Sequence, residues 1–490
     1  METYNIAKRE LLWDMFLADK VENISLNMHK PIRKNVALEC DEAWEGKLCG
    51  QASLLFDGEK YRIYYRGQNE DCGDNFETLA DPIAISVAYS YDGKTFFKPN
   101  IGLYKYKGSK DNNIIFMDDR TIDNFTVYLD SNPECTSDAK FKAISEYDVY
   151  EDVDGEKQLF RKLAYYKSAD GIHFEFVCIL PVKGNFDSVN IILWNDKTQK
   201  YHLYFRKLHK PNPEYRIEFE SEYSVRDINV AFSDDFETWS EPQGLNYGED
   251  DKWEIQMYTN GIRKYPDTDM FYGLPTRYVQ RSIDAVNYKY LPDINGTRQS
   301  LIEKYGRGGT AVTEAMLMTS RDGINFNRIK EAFMTPGIEN GDNWAYGDGY
   351  FVYGFAETES DFKGEPKEIS LYMGTGYRAR PVTFERFTLR KDGFLSWHAN
   401  FEGGEILTKP ITFDGENLSV NFATSVLGYL IIDICDESGN EIEGYSSGRL
   451  FGNSLDRPVD FEKSLKALNG KNLRLRIKMK DCDFYSFIFD

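Results

Sequence analysis

One short phrase recurs along this chain and limits what it can fold into. It reads Ser-x-Asp-Gly-x-x-Phe, and it begins at Ser90, Ser168 and Ser320. Ser233-Asp234-Asp235 and Lys391-Asp392-Gly393 are weaker copies. An Asp-Gly turn alone marks a hairpin in any β protein. Five such turns, four of them Asp-Gly and one Asp-Asp, each placed after an alternating apolar run, mark a structural repeat. The first unit, Ala52 to Phe97, shows its content. Ser53-Leu54-Leu55-Phe56 breaks at Asp57-Gly58, Tyr61 to Gly67 alternates, Ile83 to Ser90 leads into Asp92-Gly93, and Thr95-Phe96-Phe97 closes it. Four short strands joined by hairpins make one antiparallel sheet, and such sheets at wide, similar spacing read as propeller blades.

The other units follow in order. The second runs from Asp123 to Phe176, the third from Val189 to Ser240, the fourth from Gly261 to Asn327 and the fifth from Tyr350 to Trp397. An insertion at about 280–308 interrupts the fourth, with loop signals at Asp293-Ile294-Asn295-Gly296 and Gly306-Arg307-Gly308-Gly309. After about residue 400 the signature stops, yet strands such as Gly428 to Ile434 and Phe484 to Phe489 continue. The expected fold is all-β: a five-bladed β-propeller over 45–400, followed by a C-terminal β-sandwich over 401–490. Residues 1–44 form a leader whose strands are expected to pack on the propeller and to supply an edge strand.

The totals narrow the function. With 80 acidic and 59 basic residues the net charge is −21, which repels polyanions and argues against nucleic acid as a partner. No apolar run approaches the roughly 18–20 residues of a membrane-spanning helix. The N-terminus lacks a basic stretch followed by an apolar one, so a cytoplasmic protein is expected. The seven cysteines contain no Cys-x-x-Cys pair, and the five histidines are widely separated. No metal and no cofactor are therefore expected, and the chemistry rests on carboxylates.

In a propeller, the residues just before each innermost strand gather at one mouth of the central channel. Here those positions hold Glu45 and Gln51, then Asp123 and Asn124, then Asp187 and Asn190. The fourth unit offers Glu254, Tyr258 and Asn260, and the fifth offers Asp342, Trp344, Tyr346 and Asp348. Facing carboxylates with aromatic walls suit glycosidic bond cleavage: one acid protonates the leaving oxygen, and another attacks or activates water. Asp187 and Glu254 are the preferred catalytic pair, with Asp130 as a third candidate. Asp130 precedes Ser131-Asn132-Pro133, which equally makes it an Asx-turn residue. Gln51, Asn124, Asn190, Tyr258, Asn260, Arg277, Trp344 and Asp348 are candidates for holding a carbohydrate substrate. Arg277 either reaches the pocket or pairs with an acid. A non-catalytic carbohydrate-binding propeller is the alternative.

The hairpins Asp-Gly-x-x-Phe and Asp-x-x-Thr-Trp, the five units and the sandwich together resemble the β-fructosidase superfamily of glycoside hydrolases, which includes invertases, levansucrases and arabinanases. The runs Asn124 to Pro133, Phe186 to Asn190, Tyr258-Thr259-Asn260 and Met318 to Gly323 resemble a family-32-like bacterial branch of that group. The resemblance implies the propeller-sandwich fold and glycosidase activity. It departs at the mechanism. Invertase-type enzymes carry Trp-x-Asn-Asp-Pro-Asn, with the nucleophile in it, before the first inner strand; here Gly46 to Ala52 contains no Asp. Arg-Asp-Pro is also missing, and no Glu-Cys stands at the corresponding place near Glu254; Asp130 and Glu254 are only loose counterparts.

Overall fold

The computed structural model describes residues 3–68, 83–117, 122–211, 224–251, 255–281, 289–305 and 307–490. Five antiparallel sheets surround a central channel. The first four blades have inner strands Gly50–Phe56, Ile122–Leu129, Ile191–Asn195 and Ile262–Lys264. The fifth blade is Ala356–Thr358, Glu368–Thr375, Thr383–Arg390 and, as its outer strand, Ile32–Glu39 from the leader. A ring whose last blade mixes both ends of the propeller sequence cannot open without breaking that sheet.

The inner strands are stitched to one another around the ring. Ser53 Oγ accepts the Val127 N–H at 3.1 Å, and Thr126 Oγ1 donates to the Asn190 carbonyl at 2.6 Å. Asn260 Nδ2 donates to the Val189 carbonyl at 2.9 Å, and Thr276 Oγ1 to the Gly349 carbonyl at 3.2 Å. Leu54 N–H donates to the Tyr353 carbonyl at 2.7 Å and closes the circle.

The recurring phrase has a physical explanation. Its serine hydroxyl accepts the N–H three residues on, at 2.9 Å for Ser90, Ser168 and Ser320 and 2.8 Å for Ser233. Its aspartate accepts two more backbone N–H groups, as Asp170 does from Ile172 and His173. The turn so built is then gripped by the preceding blade. Tyr64 OH donates to the Gly171 carbonyl at 3.0 Å, Tyr204 OH to Gly323 at 2.9 Å, and Tyr372 OH to Gly93. In the weaker copies Tyr265 OH donates to Asp392 Oδ1 at 3.0 Å, and the Tyr165 and Phe236 rings lie 4.4 Å apart. Gly171 and Gly323 sit at φ +74° and +77°, and a Cβ at either would come within 2.6 Å of the gripping tyrosine oxygen. Glycine is therefore required there both for backbone freedom and for the close approach.

Two corrections concern the ends of the propeller. Leu395-Ser396-Trp397, expected to finish the fifth blade, pairs instead in the C-terminal sheet, with Phe484 opposite Trp397 and Met28 opposite Leu395. Phe394, Leu395, Ser396 and Trp397 are all buried, as suits a strand covered on both faces. The leader strands Glu10–Leu11, Ala18–Glu22 and Ser25–Met28 also pair in the C-terminal sheet, and Tyr4–Ile6 pairs in parallel with Ile411–Phe413 of the same domain, none of them with a blade. This part of the leader touches the propeller through side chains and through the Trp13 carbonyl, which accepts Thr319 Oγ1–H at 3.4 Å. Trp13 packs in one core with Tyr272, Leu317, Leu371 and Phe394, joining the fourth and fifth blades to the C-terminal domain.

In that domain two long strands, Leu418–Cys435 and Arg474–Phe489, pair along their whole length with a break between Thr424 and Tyr429. The sheet halves on either side of the break share one core, with Val420, Phe422 and Phe484 from one and Ile432, Leu475 and Ile477 from the other. This makes the sandwich. The insertion in the fourth blade, expected as loop, carries the helix Thr297–Tyr305. Among the described residues no helix is long and apolar enough to cross a membrane.

Candidate active site in the central channel

The channel mouth opens into a cavity of about 570 Å³ to which all five blades contribute. Register explains which side chains reach it. Ser53 lies opposite Tyr64 in the first blade, Thr126 opposite Ile144 in the second and Ile191 opposite Tyr204 in the third. Two residues further along each second strand stand Arg66, Glu146 and Arg206. These three are equivalent positions of the repeat, placed at the channel end of neighbouring blades.

Arg66 is buried, donates from Nη1 to Asp123 Oδ1 at 2.6 Å, and lines the cavity with Asp123. Its second guanidinium nitrogen reaches the Leu48 carbonyl at 3.0 Å. Asp123 faces Glu146 across the sheet. Glu146 is buried, accepts Asn124 Nδ2–H at 3.2 Å, and sits 3.1 Å from Arg161 Nε. Burial, then the nearby Asp123 and Asp187 carboxylates, push its pKa up from 4.5 to about 8. Asp187 lines the cavity from the third blade, half-exposed, and shares one carboxylate oxygen between Arg161 and Arg206, each at 3.4 Å.

The opposite wall is tyrosine. Tyr258 stacks on Tyr278 with ring centroids 5.6 Å apart, and its hydroxyl accepts the Tyr346 hydroxyl at 2.8 Å. Tyr350 and Tyr377 complete this wall. The Arg206 and Arg226 guanidinium groups lie 5.0 and 5.2 Å from the Tyr258 ring centroid, and Arg226 also covers Tyr278 at 4.8 Å. Ser300 and Leu301 of the insertion helix border the same cavity.

Of the residues expected here from sequence, Asp187, Gln51 and Tyr258 line the cavity, as do Asp123 and Tyr346. Asn124, Asn190 and Asn260 stand just behind it as braces. Gln51 Oε1 accepts the Asn124 N–H at 3.1 Å, Asn190 Nδ2 donates to the Phe186 and Ser188 carbonyls, and Asn260 bridges the third and fourth blades. Glu254 lies outside the described residues.

Four candidates belong elsewhere. Asp130 follows the far end of the strand that begins beside Asp123, about 23 Å away at roughly 3.3 Å per residue. There it is tied to Lys142 at 2.6 Å and Tyr201 OH at 2.8 Å. Its Asx-turn, with the Asn132 N–H at 2.9 Å, is structural. Arg277 pairs with Glu314, with Nε 2.9 Å from Oε1, because the two are opposite one another in the fourth blade. Trp344 donates to the Gly337 carbonyl at 2.8 Å and does not border the channel cavity. Asp348 accepts the Ala345 N–H at 2.9 Å and borders a separate cavity of about 200 Å³. Burial pushes its pKa up to about 7. Glu45, also at a pre-strand position, is buried against Tyr65 OH at 2.6 Å and Lys98 at 2.8 Å.

No protein-family model matches the chain, and no curated protein matches it. Solved structures similar to it include an N-acetylgalactosamine deacetylase from F. plautii in complex with blood group B trisaccharide. That match has 12% identity over 93% of this chain and 95% of that chain, with a TM-score of 0.41. A family-32 β-fructofuranosidase from Bombyx mori shows 8% identity over 94% of this chain and 93% of that one, with a TM-score of 0.38. A putative glycoside hydrolase from Parabacteroides distasonis shows 12% identity over 74% and 96%, also with a TM-score of 0.38. No residue role is carried over from any of them.

Proposed function

We propose that this protein cleaves a glycosidic bond in a short oligosaccharide or glycoside held in the channel cavity, with Asp123 and Asp187 as the working carboxylates. The observation that carries this reading is the convergence of these two groups, from neighbouring blades, on one cavity walled by tyrosines. A tyrosine wall presents flat apolar faces on which a sugar ring stacks, with hydroxyls at its edge. Arg66 fixes the orientation of Asp123 at 2.6 Å, which suits attack on the anomeric carbon or activation of a water. Asp187 is half-exposed on the open side, where its carboxylate orders the solvent water from which the departing oxygen takes its proton.

Gln51 stands where the resembling enzymes place their nucleophile, and its side chain is committed to the Asn124 N–H. The mechanism therefore shifts from the first blade to the second and third. Asn124, Asn190 and Asn260 hold the inner strands in place and do not contact substrate in this reading. The test is a panel of aryl glycosides and oligosaccharides with product analysis. On a substrate the wild type cleaves, Asp123→Asn and Asp187→Asn should each lower kcat by about 10²–10⁴-fold. Unchanged turnover in both variants removes the assignment. Binding of a sugar with no turnover on any panel member replaces it with a carbohydrate-binding role.

A further inference from the structure

We infer that the ligand of the channel carries an oxyanion, such as a carboxylate, phosphate or sulfate, and that Arg206 is its principal seat. The inference rests on the reading of the cavity as a carbohydrate site and adds the chemical class of what enters.

Arg206 is 7% exposed. Only its Nη1 has a protein partner in the cavity, Asp187 Oδ2 at 3.4 Å; Nε and Nη2 have no hydrogen-bond acceptor. The guanidinium lies directly behind the cavity lining, against Asp187 and the Tyr258 ring, both of which line the cavity. Unused buried donors are costly, and a guanidinium fork is shaped to give two parallel N–H bonds to one oxyanion. The charge it carries is poorly matched. The single Asp187 oxygen near it is shared with Arg161 at the same distance.

Two further donors point the same way. Arg66 lines the cavity with its Nε unpartnered, and Tyr350 lines it with a buried hydroxyl beside Tyr346. Arg206 is close enough to Tyr350 to act on its hydroxyl electrostatically. Among the described residues, Arg66, Arg161 and Arg206 stand against Asp123, Asp187 and Glu146, with Asp148 a further 3.9 Å from Arg161. Arg226 and Arg378 add positive charge on the other side. In a chain of net charge −21, this concentration of arginine runs against the general field. A neutral sugar hydroxyl satisfies a donor but leaves the cation unmatched; an oxyanion does both.

The experiment is isothermal titration of the full-length protein with glucose, glucuronate, glucose 6-phosphate and inorganic phosphate, in the wild type, Arg206→Gln, Arg206→Lys and Tyr350→Phe. At least one anionic probe should bind the wild type about tenfold or more tighter than glucose, the scale of a charge-assisted bond. Arg206→Gln should abolish that preference. Arg206→Lys, which keeps the charge and loses the fork, should keep part of it, and Tyr350→Phe should weaken it by a few-fold. Tight binding of phosphate alone places the oxyanion on a free co-substrate. Binding of glucuronate or the sugar phosphate without phosphate places it on the sugar. Equal binding of glucose and every anionic probe, no binding of any anionic probe at about 10 mM, or a preference that survives Arg206→Gln in folded protein overturns the inference. These outcomes are separate from the function itself. Turnover of neutral glycosides that depends on Asp123 and Asp187, with no anion preference, leaves glycosidase activity standing and removes only the anion seat.

Discussion

Glu146 offers the sharpest test of the site's electrostatics. It is 2% exposed, and it faces Asp123, Asp187, Asp148, Arg161 and Asn124. Its pKa in the folded protein rises from the ordinary 4.5 to about 8. The sign follows from proton linkage. Between pH 4.5 and 8 the folded state holds a proton that the unfolded state has released, so stability falls as pH rises through this window. The stabilisation is complete below the unfolded value and gone above the folded one. At ~1.4 kcal/mol per unit, the shift amounts to about 5 kcal/mol. For a chain of 490 residues, at ~2 cal/mol/K per residue, that is about 5 °C in Tm. Glu146→Gln keeps the size and the uncharged state and deletes the titration. Melting curves of wild type and variant at pH 5, 7 and 9 should nearly coincide at pH 5 and separate at pH 9, with the variant higher by several degrees. The pH–rate profile should change in parallel. Ionised Glu146 adds a negative charge beside Asp123 and Asp187, so wild-type activity should fall above pH 8 while the variant's continues. Stability curves that stay parallel from pH 5 to 9 would refute the reasoning.

Other outcomes follow from the same structure. Asp130→Ala leaves the buried Lys142 ammonium without its 2.6 Å partner, so it should cost about 3–5 kcal/mol in chemical denaturation. Sugar affinity should stay unchanged, which a catalytic Asp130 would not allow. Tyr204→Phe removes the bond to the Gly323 carbonyl and should cost about 1–3 kcal/mol, while Gly323→Ala should cost more because it adds backbone strain to the clash. Trp13→Ala should cost about 3–5 kcal/mol and loosen the propeller from the C-terminal domain, seen as two separate transitions where the wild type shows one. The turn aspartates give an acid limb. Asp235 is held near 2, first by the Thr238 N–H; Asp92 is lowered by backbone N–H bonds, and Asp322 by the Asn325 side chain and then backbone N–H bonds, which outweigh burial. Their contribution is present above about pH 4 and is lost as pH falls toward 2, so the amides of these turns should show lower protection factors, relative to intrinsic exchange at the same pH, at pH 2.5 than at pH 5.

How much of this was legible in the sequence depends on whether a residue's role is local. The turn phrase is local. Ser90 to Gly93 contains the serine acceptor, the aspartate and the glycine that the turn uses, so the blades could be counted from it. The strand exchange at the ring's closure is not local. Leu395–Ala399 alternates and Ile32–Glu39 does not, yet the three-dimensional ring has the second complete the fifth blade and the first leave it. The same distinction applies at the site. Looking before each inner strand finds Asp123 and Asp187, because chain ends of inner strands meet at the mouth. It passes over Arg66, Glu146 and Arg206, which lie inside second strands. A signal for two of them was present. Tyr64-Tyr65-Arg66 and Tyr204-Phe205-Arg206 are the same phrase in the first and third units, with the tyrosine gripping the next blade and the arginine two residues on facing the channel. Aligning these two units by their gripping tyrosine, and not by their turns, brings Arg66 and Arg206 into one column, and strand register adds Glu146 from the second unit. In that column basic and acidic residues alternate, Arg66, Glu146, Arg206, with Glu146 ionised only above about pH 8. Such alternation lets each buried charge meet an opposite neighbour from the adjoining blade or the loop before it, as Arg66 meets Asp123. Arg206 is the member whose match is weakest, and it is there that the channel is best prepared to receive a charge from outside.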